Sequence, residues 1–125
     1  MTEMSKECRR LLKRTRVAIV TTRRITRHAW GVDSDGRVIR DRHFALYTDK
    51  RPRCMCPVST LWWHAGRLRV DFENKQRIGE EALQALRVCL PAATCRDDGD
   101  AVANYVDRRG CRKRDVVRLF DNALR

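Results

Sequence analysis

Aromatic residues and long apolar runs are scarce in this sequence, and acidic residues are far fewer than basic ones. Aromatic residues make up only 6% of the 125 residues, which leaves few side chains for stacking. Apolar runs such as Val17–Val20 are far shorter than the roughly 20 residues of a membrane-spanning helix. The first residues are polar and charged rather than apolar, so we expect no secretory signal and a cytoplasmic location.

The cysteines do not predict a disulfide framework, because thiols stay reduced in the cytoplasm. They are Cys8, Cys54, Cys56, Cys89, Cys95 and Cys111. Cys54 and Cys56 lie near His43 and His64, a combination that a zinc site requires. Structural zinc sites, however, use two pairs of closely spaced ligands, and the remaining cysteines form no second pair. We therefore expect unpaired thiols and no metal or other cofactor.

Positive charge is the most informative feature of the composition. The chain has 28 Lys and Arg residues against 16 Asp and Glu residues, a net charge of +12. Nine of the basic residues and only two acids fall among the first 30 residues. Positive side chains in such excess repel one another in a compact fold, and proteins that tolerate this repulsion typically bind a polyanionic partner. Nucleic acid is the first candidate for that partner. Of the 28 basic residues, 23 are Arg. The alternative explanation of the charge is therefore a GC-rich coding sequence, which favours arginine codons without any selection for binding.

The first segment predicts an amphipathic helix from Glu3 to about Lys13. Its apolar residues recur at spacings of three to four, which places them on one face. The opposite face carries the basic side chains of Lys6, Arg9, Arg10 and Lys13. That face can lie along a phosphate backbone, or it can simply face solvent. Aromatic anchors for a membrane surface are absent from residues 1–16, so we expect no membrane partner.

Residues 16–72 predict a small, mainly antiparallel sheet. β-branched residues favour a strand at Arg16–Thr22. A first hairpin is expected where Asp33–Gly36 forms the turn between Trp30–Val32 and Arg37–Ile39. Another short strand is expected at His43–Thr48, followed by a loop. A second hairpin is predicted from Leu61–Trp63 and from the alternation of Leu68, Val70 and Phe72 with polar residues.

The remainder of the chain predicts three helices. The first runs from about Gly79 to Leu90 and is stopped by Pro91. After a loop from Ala92 to Gly99, the last two helices run from about Asp100 to Arg109 and from Arg112 to Ala123, with Gly110 between them. The expected fold is a single α+β domain spanning residues 1–125, with residues 1–99 as the body and 100–125 as a C-terminal helical pair.

The most specific local pattern lies in that C-terminal pair. Gly110 stands where the first helix should end, and Cys111 supplies a small apolar residue just after the turn. Tyr105 and Val106 would face inward from the first helix, and Val116 and Leu119 from the second. The segment from Tyr105 to Leu119 resembles the helix-turn-helix motif of DNA-binding regulators. It departs from that motif at Val106, where the family usually has Ala because the helices approach closely.

The resemblance implies that Arg112, Lys113 and Arg114 open a recognition helix that meets base edges and phosphates in the major groove. An ordinary helical hairpin with a solvated charged face is the alternative. Helix-turn-helix proteins commonly dimerise to match half-sites, so a homodimer is compatible with the motif, although no apolar stripe marks an interface. We therefore predict a DNA-binding accessory or regulatory protein, with duplex DNA as its partner, and no enzyme.

Two further interpretations remain open. Trp62 and Trp63 are adjacent in the predicted strand, so one would face the core and the other outward, where it could stack on a base. An RNA-binding module using that sheet face is one alternative. The other is a small inhibitor of the phage or plasmid type, similar in size and composition to anti-CRISPR proteins, that binds a host protein or nucleoprotein complex. A complex with a host protein that survives nuclease treatment would favour the inhibitor, whereas loss of every partner after nuclease treatment would favour direct nucleic-acid binding.

Overall fold

A computed structural model describes residues 3–23, 25–41, 43–91 and 96–125, and it confirms the α+β class. The described helices are α1 (Lys6–Thr21), α2 (Phe44–Tyr47), α3 (Pro57–Gly66), α4 (Phe72–Val88), α5 (Asp98–Asp107) and α6 (Lys113–Ala123). The strands are β1 (Gly31–Val32), β2 (Val38–Ile39) and β3 (Cys54–Met55). They form one antiparallel sheet in the order β2-β1-β3. The predicted loop from Ala92 to Gly99 lies partly outside the described residues.

Helix α1 continues through the segment predicted as the strand Arg16–Thr22, and that prediction is wrong. Ser5 caps the helix, because its hydroxyl accepts a hydrogen bond from the Cys8 amide. The apolar stripe of the first turns continues to the buried Ile19, so the 3.6-residue period overrides the strand propensity of the β-branched residues. The hydroxyl of Thr15 donates to the Leu11 carbonyl at 2.8 Å, which satisfies the one buried polar side chain of the stripe.

The first hairpin is confirmed. β1 and β2 pair antiparallel, with Val32 opposite Val38. Gly36 in the turn has a φ of +85°, a conformation that residues with a Cβ rarely adopt. On its other edge β1 pairs with β3, where a Cβ on Gly31 would lie 2.8 Å from the Cys54 carbonyl oxygen.

The second hairpin and the strand at His43–Thr48 are wrong, because both segments contribute helices. Residues 44–47 form the short helix α2. Leu61–Trp63 belong to α3, which begins with Pro57 at its first position after Cys56 as N-cap. Nearly every residue of α3 is buried, so the helix lacks the one-sided pattern that reveals a helix in sequence. Val70 and Phe72 are exposed, so their alternation reflects no strand.

Helix α4 confirms the helix predicted at Gly79–Leu90 but begins seven residues earlier, at Phe72. The carboxylate of Asp71 accepts a hydrogen bond from the Asn74 amide at 2.8 Å and caps the helix. Gly79 is required in the middle of α4, because a Cβ there would lie 2.2 Å from the ring of Trp62. The close approach of α3 to α4 depends on this glycine.

The last two helices lie close to their predicted positions. Gly110 has a φ of +86° in the turn between α5 and α6, two residues after Arg108 caps α5, and the Cys111 amide donates to the Arg108 carbonyl across that turn. Val106, Cys111, Val116 and Leu119 are buried, and Tyr105 is half-buried. α5 packs against α3 and α4, whereas α6 packs against α1 and α4. The side chains predicted to face inward between the two helices are buried or half-buried, and the helices that α5 and α6 mainly pack against belong to the body of the protein.

One apolar core joins the helices. It includes Leu11 and Leu12 of α1, Leu61 of α3 and Phe120 of α6, all fully buried. Among the described residues, no helix has the length and apolar character needed to cross a membrane.

Candidate nucleic-acid interface

The outer face of α1 carries a row of exposed basic side chains. Its buried residues recur every three or four positions, which fixes the opposite side of the helix toward solvent. The exposed basic residues on that side are Lys6, Arg10, Lys13 and Arg14. Val17, with 57% of its surface exposed, continues the same stripe one turn later. A helix face of this kind can neutralise phosphates without burying any charge.

Helix α6 lies antiparallel beside α1, held by contacts at both ends. Near the start of α1, the Arg9 guanidinium donates to the Leu124 carbonyl at 2.7 Å. Farther along, Arg16 pairs with Asp121. At the end of α1, the Lys113 ammonium donates to the carbonyls of Val20 and Thr22, each at 2.6 Å. The first turn of α6 is therefore next to the last turn of α1.

Helix α6 adds a second row of exposed charge next to the first. Arg114 and Arg118 are four residues apart and share one side of the helix, and Arg125 follows just beyond its end. These arginines line a shallow depression on α6 together with Lys113, Val117 and Asp121, and Val20 of α1 lies at its edge. We call the combined surface the basic face. It consists of Lys6, Arg10, Lys13, Arg14, Arg114, Arg118 and Arg125.

The predicted basic residues divide between this face and the contacts that hold the helices together. Lys6, Arg10, Lys13 and Arg114 are exposed on the basic face. Arg9 and Lys113 are half-buried and bind backbone carbonyls. Arg112 is exposed but serves as the N-cap of α6, where its amide donates to the Asp115 carboxylate at 2.8 Å.

Three members of the basic face were missed from the sequence, namely Arg14, Arg118 and Arg125. Arg14 follows Arg10 by four residues, and Arg118 follows Arg114 by four. That spacing was a usable signal, because residues four apart on a helix share a face. No sequence pattern, however, showed that α1 and α6 lie side by side.

Positive charge extends from α1 toward the end of α3. Burial lowers the pKa of His64, and the neighbouring guanidinium groups of Arg51, Arg14 and Arg67 lower it further. Arg14 thus belongs both to the basic face and to the cluster around His64. The cation of Arg67 lies 3.9 Å from the ring centroid of Trp63, which fixes its position.

The two tryptophans proposed for stacking are both in the core. Trp62 and Trp63 expose only 4% and 8% of their surfaces, since α3 is surrounded by other elements. The prediction that one of them faces outward is wrong, because it assumed a strand. Trp62 instead meets the His43 ring edge-on at 5.7 Å and packs over Gly79. Neither ring is available to a nucleic-acid base.

The cysteine and histidine residues considered for zinc take structural positions. The Cys56 thiol accepts a hydrogen bond from the Ser59 amide at the start of α3, and burial raises its pKa. Burial and the nearby Glu81 carboxylate raise the pKa of Cys8 to about 12. Within residues 3–23, 25–41, 43–91 and 96–125, no three His, Cys, Asp or Glu side chains are grouped to hold a metal. Cys95 lies outside the described residues.

The fold and the basic face define the class of this protein, a small α+β protein with a strongly basic surface formed by two packed helices. The chain belongs to a family of unknown function, DUF6197, whose model matches residues 4–125. No curated protein and no solved structure matches the chain.

Proposed function

We propose that this protein binds nucleic acid, with duplex DNA as the preferred partner, as a cytoplasmic accessory or regulatory protein. One observation carries the proposal: two segments about a hundred residues apart in sequence meet as antiparallel helices and present their basic side chains together. The seven residues of the basic face account for a large part of the net charge of +12. A phosphate backbone relieves the mutual repulsion of such a face and releases its own counterions.

Of the acids near the basic face, Glu7 is exposed on α1 three residues before Arg10 and lowers the charge of the face by one, whereas Asp121 and Asp115 have hydrogen-bonding partners. Asp121 is paired with Arg16, which lies at the seam between the helices. Asp115 accepts the amide of Arg112 and caps α6. The helix-turn-helix resemblance adds Arg112 and Arg114 as DNA contacts at the start of α6, and it stays a prediction.

Salt dependence of binding to a DNA duplex tests the proposal. We expect the logarithm of the association constant to fall with the logarithm of salt concentration with a slope of about −4 to −6, as five to seven phosphate contacts require. The decisive variant changes Arg10, Lys13, Arg114 and Arg118 to Gln together. It should make the slope shallower by about 3.6 units and weaken binding at about 0.1 M salt by more than about a thousandfold.

The matched control changes four exposed arginines outside α1 and α6 to Gln, namely Arg37, Arg40, Arg69 and Arg77. Both variants lose the same charge, so only the position of the charge differs. If the two lose affinity equally, net charge rather than the basic face drives binding. If the unaltered protein shows no binding to any nucleic acid even at low salt, the proposal is wrong.

A second candidate function rests on the exposed valines at the basic face. Val17 and Val20 expose 57% and 43% of their surfaces between basic side chains. Cations around apolar side chains also suit an acidic protein surface, as an inhibitor of a host protein or nucleoprotein complex would need. A complex with a host protein that survives nuclease treatment, and that Val17→Ser with Val20→Ser disrupts, would favour this function over nucleic-acid binding.

A further inference from the structure

We infer that the basic face binds duplex DNA through its phosphates alone, without reading base edges. This inference rests on the nucleic-acid binding proposed above and specifies its mode. It departs from the expectation that the first turn of α6 acts as a recognition helix.

The width of the helix pair is the first argument. The major groove of B-DNA is about 12 Å wide and admits a single α-helix, whose diameter with side chains is about 10–12 Å. α1 and α6 are joined at both ends, by Arg9 to Leu124 and by Lys113 to Val20 and Thr22. Two helices packed at the usual 8–10 Å between axes are together about 20 Å wide. Both helices therefore cannot enter one groove side by side, and an outer face shared by the two helices meets the phosphate ridges.

The first turn of α6 supplies the second argument. Base-reading helices present the side chains of their N-terminal residues to the groove. Here the Lys113 ammonium binds the carbonyls of Val20 and Thr22 at the end of α1, so of the three basic residues at the start of α6 only Arg112 and Arg114 are exposed. Arg114 shares its side of α6 with Arg118, one turn farther along, and both line the same shallow depression. Charges in such a row contact successive phosphates, and phosphates carry no sequence information.

The helices of the basic face expose no aromatic ring, which disfavours single strands as the main partner. Proteins that bind single strands stack the bases on exposed aromatic rings. α1 contains no aromatic residue, and the aromatic residue of α6, Phe120, is fully buried. The apolar side chains that α1 exposes are Val17 and Val20, which offer no ring. Rows of cations without rings suit a duplex, whose bases are already stacked.

Binding to duplexes and single strands of matched length, about two helical turns, tests the inference. We expect duplexes of unrelated sequence to bind within about threefold of one another, because a sequence reader loses about 1–3 kcal/mol per mismatched base pair. Single strands of the same length should bind more weakly. Arg114→Gln should weaken binding to every duplex by the same factor and make each salt slope shallower by about 1.

The outcomes separate the two proposals. A duplex selected from a random pool that binds more than about tenfold tighter than the pool would show base reading and overturn the inference, while nucleic-acid binding stands. Tighter binding to single strands than to duplexes would also overturn the inference and leave nucleic-acid binding standing. Absence of binding to both kinds of nucleic acid at low salt would overturn the proposed function and this inference with it.

Discussion

At the scale of single residues, basic side chains that look equivalent in the sequence have different roles. Arg9 and Arg10 are neighbours, yet Arg9 binds the Leu124 carbonyl while Arg10 is exposed. Lys113 and Arg114 differ in the same way at the start of α6. Because adjacent helical residues point about 100° apart, one of each pair meets the partner helix and the other faces solvent.

His64 links the positive cluster to the stability of the fold. Its pKa is lowered by burial and by Arg51, Arg14 and Arg67, so its proton binds more readily in the unfolded chain than in the folded protein. Stability should therefore be greatest above the ordinary His pKa of about 6.5 and fall as the pH decreases through it. His64→Gln should make the free energy of unfolding less dependent on pH between about 7.5 and 5.5, measured by urea denaturation.

The matched control for that measurement is His28→Asn. His28 is exposed and has a φ of 60°, which Asn tolerates better than most residues. The His28 ring nitrogen lies 3.9 Å from the Asp107 carboxylate, so this control shows how the loss of an exposed histidine next to an acid changes the same measurement. Equal slopes in the unaltered protein and His64→Gln would contradict the role given to His64.

At the scale of elements, Lys113 is the contact that fastens the start of α6 to the end of α1. The last carbonyls of a helix lack intrahelical donors, and a cation next to them is favoured by the helix dipole. The last turn of α1 contains no basic residue of its own, so Lys113 supplies that charge from a distant part of the chain.

The contrast between Lys113→Met and Arg114→Met tests this division of roles. Lys113→Met keeps most of the side-chain stem but loses the ammonium, and we expect the free energy of unfolding to fall by about 1 kcal/mol. Arg114→Met should leave stability within about 0.5 kcal/mol and weaken DNA binding instead. The free energy of unfolding and the affinity for DNA are measured for both variants and compared with those of the unaltered protein. A larger loss of DNA affinity in Lys113→Met than in Arg114→Met would contradict the assignment.

At the scale of the whole molecule, the net charge of +12 opposes the compact state while it favours a polyanion. Repulsion between exposed charges is screened over about 10 Å at 0.1 M salt, which is comparable to the usual distance between packed helices. Added salt should therefore strengthen the fold and weaken DNA binding at the same time.

We expect the melting temperature to rise by several degrees between about 0.02 and 0.3 M sodium chloride, as self-repulsion is screened. The variant with Arg10, Lys13, Arg114 and Arg118 changed to Gln should start from a higher melting temperature at low salt and gain less from added salt. Calorimetry of both proteins provides the comparison. If the unaltered protein and the variant respond identically to salt, repulsion within the basic face does not limit stability.

Sequence reasoning succeeded where local chemistry decides structure. The hairpin turn at Gly36, the turn glycine Gly110 between the last two helices and the basic stripe of α1 were all predicted, because each depends on a few neighbouring residues. It failed at α3 and at the second half of α1. Burial on nearly all sides removed the helical period from α3, and β-branched residues concealed it in α1.

The sequence by itself determined that the chain is strongly basic, that its first segment forms a helix with a charged side, and that its last two helices meet at a glycine. Only the tertiary structure decided which charges share a surface. α1 and α6 are distant in sequence, and their pairing depends on packing against α4 and on the contacts of Arg9, Arg16 and Lys113. Local patterns carry no information about such contacts, because their partners are about a hundred residues away.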